Sequence, residues 1–181
     1  MTDHYSLFTD HYLMRSLIIA IPLLAFVAIL QSAVVSRFRF LNGGFDLMLV
    51  VVLAWNLVQR ENDGPVWAFL GGLLADALSG GPLGAAAFGL ASISLIIALT
   101  EGRFYQTNWI VAVLASLAGT IFYHLLYLAV LAVAGRPVSW ADALTLTTLP
   151  STIMNLLLML PVYQAAKWLA RQLAAPQVEI E

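Results

Sequence analysis

From Ser16 to Ser36 the chain carries no charged residue. A run of that length matches a bilayer-crossing helix, because a hydrocarbon core about 30 Å thick calls for roughly 20 apolar residues. A soluble domain can bury one such helix but not several, and further apolar runs follow at about 46–59, 65–79, 83–100, 109–134 and 143–166. Of the 181 residues, 61% are apolar and 10% charged, against about 45–50% and about 25% in soluble domains. So little polar surface cannot cover a water-exposed fold of this length. The composition excludes a soluble enzyme and a disordered chain, and the net charge of −2 leaves no basic field for nucleic acid. Without cysteine, disulfides, thiolate metal sites and thiol nucleophiles are excluded too. The chain reads as an all-α polytopic protein of the lipid bilayer, one transmembrane domain over residues 1–181.

The first span, about 15–35, is too long for a signal-peptide core and precedes no small-x-small cleavage site, so it is expected to be retained. Asn42-Gly43-Gly44 marks a turn. Arg60 to Pro65 is a charged turn in which Pro65 opens the third helix. Gly80-Gly81-Pro82 and Gly135-Arg136-Pro137 close two further runs. Ser139 and Asp142 resemble a capping box for the last helix, and Pro150 and Pro161 are expected to bend it. The result is a six-helix bundle with short, broken central helices. These must be tilted little, lie in a thinned region, or be covered by neighbours. Five helices result instead if the second and third form a re-entrant hairpin.

Positive charges near span ends set orientation. With six spans and the N-terminus inside, Arg15, Arg60, Arg103, Lys167 and Arg171 are inner and Arg37, Arg39 and Arg136 outer. The excess favours both termini in the cytoplasm. Trp67, Tyr105, Trp109, Trp140 and Trp168 fall near span ends, as an interfacial aromatic belt requires.

Ionisable groups within spans are costly unless paired or hydrated, so they are the first candidates for function. Asp76 reads as the only acid deep in the hydrocarbon. It sits near the C-terminal end of the third helix, where the helix dipole disfavours an anion. It is expected to bond the turn amides of Gly80-Gly81 before Pro82 or to pair with Arg37 or Arg39; a proton or ion site and a partner contact are the other readings. Asp46 opens the second helix and suits an N-cap. His124 shares a face of the fifth helix with Ser116, Thr120, Tyr123 and Tyr127, while Thr148, Ser151, Thr152 and Asn155 form a matching face on the sixth. If these helices are antiparallel neighbours the two polar faces meet at one depth, as an interhelical hydrogen-bonded seam or as the wall of a ligand cavity. Ala68/Gly72 and Gly71/Ala75 are small-x-x-x-small pairs that admit another helix closely, from this chain or from a partner.

Enzyme motifs are missing: there is no His-Glu-x-x-His, no Gly-x-Ser-x-Gly, and no Gly-x-Gly beside Asp76. No catalytic, cofactor-binding or metal-ligating set is expected.

The stretch Phe69-Leu70-Gly71-Gly72-Leu73-Leu74-Ala75-Asp76-Ala77-Leu78-Ser79-Gly80-Gly81-Pro82-Leu83-Gly84 resembles the central signature of the bacterial rod shape-determining MreD family. So does Leu30-Gln31-Ser32 at the close of the first helix, followed by a basic loop and Asp46-Leu47. Phe45 stands where the family often has proline. The resemblance implies a non-enzymatic plasma-membrane (inner-membrane) subunit of the elongation complex, supporting cell shape and lateral peptidoglycan synthesis. Its implied partners are the bitopic protein MreC and, indirectly, the MreB filament and the RodA/penicillin-binding synthase. The implied fold is similar to the substrate-binding subunits of energy-coupling-factor vitamin transporters. The rival reading is that the chain is itself such a vitamin-capturing subunit. Those subunits dock through Ala-x-x-x-Ala stripes, whereas Ala20, Ala25, Ala28 and Ala33 contain no pair spaced by four, and glycines replace alanine in the third helix.

Overall fold

The computed structural model describes residues 3–33, 35–59, 63–99 and 108–173, with side chains from Ser16 onward except those of residues 36 and 39. Among these residues lie six helices: α1 (Asp3–Ala33), α2 (Leu47–Val58), α3 (Gly64–Ser79), α4 (Ala85–Ala98), α5 (Trp109–Val133) and α6 (Trp140–Leu173). Segments of α1, α5 and α6 are long and apolar enough to cross a membrane. At 1.5 Å per residue, α2, α3 and α4 extend only about 18, 24 and 21 Å, well short of a bilayer core of about 30 Å.

Burial explains how such short helices are tolerated. The shortest, α2, touches all five other helices, and nine of its twelve residues are buried. Most of its backbone therefore lies inside protein, where a short helix is not exposed to lipid. Around it, α1, α3, α4, α5 and α6 present Ile18, Phe26, Phe69, Phe88, Leu114 and Leu157 outward, a surface suited to acyl chains and unsuited to water. The small-residue stripe of α3 is used within the chain. A Cβ on Gly72 would stand 2.2 Å from Ala87 Cα of α4, and one on Gly71 would stand 2.9 Å from Met48 Sδ of α2.

Three expectations need correction. Trp67 is fully buried, stacks on Trp55 with ring centroids 4.1 Å apart, and donates from Nε1 to Ser16 Oγ at 2.9 Å. It is a core residue, whereas Trp109, Trp140 and Trp168 are exposed; Tyr105 lies outside the described residues. Next, α6 starts at Trp140, before the expected 143, and Ser139 Oγ donates to the Asp142 carboxylate at 2.7 Å without capping an amide. The reciprocal box therefore does not form. Beyond it the helix widens to π-helical hydrogen bonding over Ala143–Thr148 and then runs through Pro150 and Pro161 to Leu173.

Finally, the expected turn at Asn42-Gly43-Gly44 is a small antiparallel hairpin, β1 (Arg39–Phe40) and β2 (Gly43–Gly44), which follows a 3₁₀ turn at Val35–Arg37. Leu41 and Asn42 form its tip, with Leu41 at φ 57. The hairpin lies on α6 because Pro150 has no N–H to give the Leu146 carbonyl, which instead accepts from Asn42 N at 3.1 Å. Only glycine fits at 43, where a Cβ would meet Thr147 O at 2.7 Å and Pro150 Cβ at 2.8 Å.

Candidate functional site: a cavity where two short helices begin

The first amides of any helix lack an intrahelical acceptor. A helix that begins inside the hydrocarbon must find acceptors on side chains, and an anion is favoured there by the helix dipole. Both α2 and α4 find such an acceptor on an aspartate side chain.

At α4 the acceptor comes from the preceding helix. Asp76, 2% exposed on the last turns of α3, accepts from Gly84 N at 2.9 Å, from Ala86 N at 2.9 and 3.1 Å, and from Ala87 N at 3.2 Å. The turn between the helices makes this reach: Gly80 is left-handed at φ 67, Gly84 at φ 95, and Pro82 O accepts from Ala85 N at 3.3 Å. The donors are thus the amides of α4, not those of Gly80-Gly81 as expected. Gly81 N donates to Ser79 Oγ at 3.2 Å instead, beneath the Tyr127 hydroxyl, which a Cβ there would approach to 2.7 Å. Arg37 is exposed while Asp76 is buried; the side chain of Arg39 lies outside the described residues. The unfavourable end of α3 is offset by the favourable start of α4.

At α2 the acceptors are shared. Asp46 accepts from Leu49 N at 3.2 Å, and Gln31 Oε1 on α1 accepts from Met48 N at 2.8 Å. Gln31 Nε2 donates back to Asp46 Oδ1 at 3.3 Å. The Asp46 amide donates to Asn155 Oδ1 of α6 at 2.7 Å, and Asn155 Nδ2 donates to Thr120 Oγ1 of α5 at 3.2 Å. His124 Nδ1 lies 3.1 Å from Thr148 Oγ1, and Gly44 N donates to Ser151 Oγ at 3.0 Å. Thr120 meeting Asn155 and His124 meeting Thr148 make α5 and α6 antiparallel neighbours at matching depth.

Asp46, Asp76, Gln31 and His124 all line one cavity of about 530 Å³, together with Tyr123, Tyr127 and Thr148. Asn155 is fully buried and accepts from Asp46 N, and Gly71 and Gly72 pack against α2 and α4. The carboxylate oxygens of Asp76 already accept from amides, and Asp46 Oδ1 accepts from Leu49 N and Gln31 Nε2. These bonds satisfy amides at two helix starts. Among the described residues no three His, Asp or Glu side chains are grouped to hold a metal.

A second buried polar cluster was not singled out from the sequence. Asp63, as buried as Asp76, accepts from Ser16 Oγ, and Asn56 Oδ1 accepts from Ser94 Oγ beside Gly64. Asp63, at the start of α3, is thus a second buried acid beside Asp76. Asn56, alone among the apolar residues of α2, was the available signal.

Neither the curated proteins nor the solved structures offer a match to the chain. A family model described as rod shape-determining protein MreD matches residues 6–171. That span takes in α2 to α5, both acid-capped helix starts, and all but the ends of α1 and α6, so the chain belongs to the MreD family of rod shape-determining membrane proteins.

Proposed function

We propose that this protein is a non-enzymatic integral membrane subunit of the bacterial cell-elongation complex. It binds an MreC-like bitopic membrane protein and through it supports the MreB filament and the RodA/penicillin-binding synthase in lateral peptidoglycan synthesis. The observation that carries this reading is the use of Asp46 and Asp76: each holds a helix start in place. A scaffold needs that rigidity, whereas proton transfer needs a group free to gain and lose a partner. The chain crosses the plasma membrane six times, with both termini cytoplasmic, in an arrangement similar to the substrate-binding subunits of energy-coupling-factor transporters. The side of the bundle at the Asp76 turn is the outer surface presented to the partner.

The cavity of about 530 Å³ is what favours a second reading, capture of a small molecule such as a vitamin. Purification from native membranes followed by mass spectrometry separates the two. Recovery of a single-span coiled-coil protein supports the scaffold, and a bound vitamin without that protein overturns it.

A further inference from the structure

In the hairpin at residues 38–44 three large apolar side chains face outward, beside the exposed Asn42 at the tip. Phe38, Phe40 and Leu41 are 63%, 65% and 61% exposed, while backbone N–H groups are bonded to α6 or within the hairpin and its turn. Asn42 N donates to Leu146 O and Gly44 N to Ser151 Oγ, Phe38 N donates to Val35 O, and Phe40 pairs with Gly43 across the hairpin. Water would make such bonding unnecessary and such side chains unfavourable. Hydrocarbon demands both, because backbone polar groups there find no other partner.

The attachment points on α6 give the depth. Trp140 opens that helix and is 45% exposed, the position of an indole at the headgroup level. Leu146 and Ser151 lie six and eleven residues further along, about 9 and 16 Å at 1.5 Å per residue. The headgroup layer is only about 5–7 Å thick on each side, so the hairpin lies beneath it. The same turns of α6 carry Leu149 and Ile153, 56% and 61% exposed, so α6 is apolar outside at this level too.

The geometry points to a membrane-embedded hairpin: Phe38, Phe40 and Leu41 insert among phospholipid acyl chains in the leaflet at the Trp140 end of the bundle, and Arg37, exposed at the end of the 3₁₀ turn, reaches back to the phosphates. The hairpin is then a lipid-binding element that fills the level left open by the short α2. This inference rests on α6 crossing the bilayer and is independent of which partner the protein binds.

The chain has no cysteine, so single nitroxide labels report single positions. Phe38→Cys and Leu41→Cys are labelled in the full-length protein in vesicles of phosphatidylethanolamine and phosphatidylglycerol, with oxygen and a water-soluble nickel chelate as collision probes. Leu157→Cys on α6 marks the hydrocarbon and Arg136→Cys the aqueous side. The expected oxygen-to-nickel collision ratio at both hairpin positions is within about twofold of that at Leu157 and several-fold above that at Arg136. Nickel access equal to Arg136 places the hairpin in water and overturns the inference. Low access to both probes means that protein covers it, a second copy or a partner, and overturns it equally. Nickel access at Leu157 itself removes the premise that α6 spans the membrane, which separates that failure from a failure at the hairpin.

Discussion

Replacing Asp76 by alanine removes the acceptor for three amides at once. Two of them, on Ala86 and Ala87, are bonded in buried surroundings, and the third, on Gly84, is partly buried. A buried donor left unsatisfied costs about 1–3 kcal/mol, loss of an N-cap about 0.5–2 kcal/mol, and the two overlap because they count the same amides. Water entering from the adjoining cavity restores part of the loss. Asp76→Ala is therefore expected to destabilise the bundle by about 2–4 kcal/mol. Asparagine behaves differently. With its carbonyl oxygen at the Oδ2 position it keeps Gly84, Ala87 and the longer bond to Ala86, and gives up the shorter Ala86 bond and the attraction of a full charge to the start of α4, about 0.3–1 kcal/mol. Asp76→Asn should lose about 1 kcal/mol. The assay is thermal unfolding in detergent with folded yield measured in parallel, for wild type, Asn and Ala. Partner recovered per folded molecule should be the same in all three. If Asn is as damaging as Ala, a cation and not the amides holds the carboxylate. If Ala is as stable as wild type but loses its partner, Asp76 belongs to the interface and the capping argument is wrong.

Three further outcomes follow from the same packing. Gly72→Val should push α3 from α4, since even a Cβ stands 2.2 Å from Ala87 Cα; a loss of about 1–3 kcal/mol or more is expected by thermal unfolding, and a stable Gly72→Val variant would contradict the close approach. His124→Leu removes the bond to Thr148 and should lower stability by about 1 kcal/mol, the scale of intramembrane hydrogen bonds, with partner binding intact; a folded variant without activity in cells would make the α5–α6 seam a binding site. A reporter active only in the cytoplasm should work at both termini, and a signal from one terminus alone would mean an odd number of spans.

Hydrophobic run lengths and turn residues locate these helices well because those signals are local. The apolar runs at 46–59, 65–79 and 83–100 overlap the short helices α2, α3 and α4, since Asp46, Pro65 and Gly80-Gly81-Pro82 act within a few residues of the ends they define. Asp76 stood out for the same reason, being an acid in an apolar run. Its partners did not, because they belong to the next helix and depend on how the turn folds back. The buried placement of Trp67 was equally hidden: its stacking on Trp55 and its bond to Ser16 join α1, α2 and α3, and sequence alone places any tryptophan near a span end at the interface. The hairpin on α6 depends on a non-local contact, since Pro150 leaves the Leu146 carbonyl open and Asn42 N donates to it. A proline marks a missing donor from sequence alone, but the group that occupies the freed carbonyl lies a hundred residues away. The sequence patterns thus mark where polar groups are needed, and the tertiary contacts decide which polar group answers.

The central claim is that the intramembrane acids hold the scaffold and take no part in proton or ligand chemistry. It is tested most directly in rod-shaped cells that lack their own copy of the protein, supplied with Asp76→Asn at the folded level of wild type. The account predicts that these cells regain rod shape. Round cells in which the Asn variant is folded, abundant and bound to its partner would show that the charge itself is needed, and would contradict it.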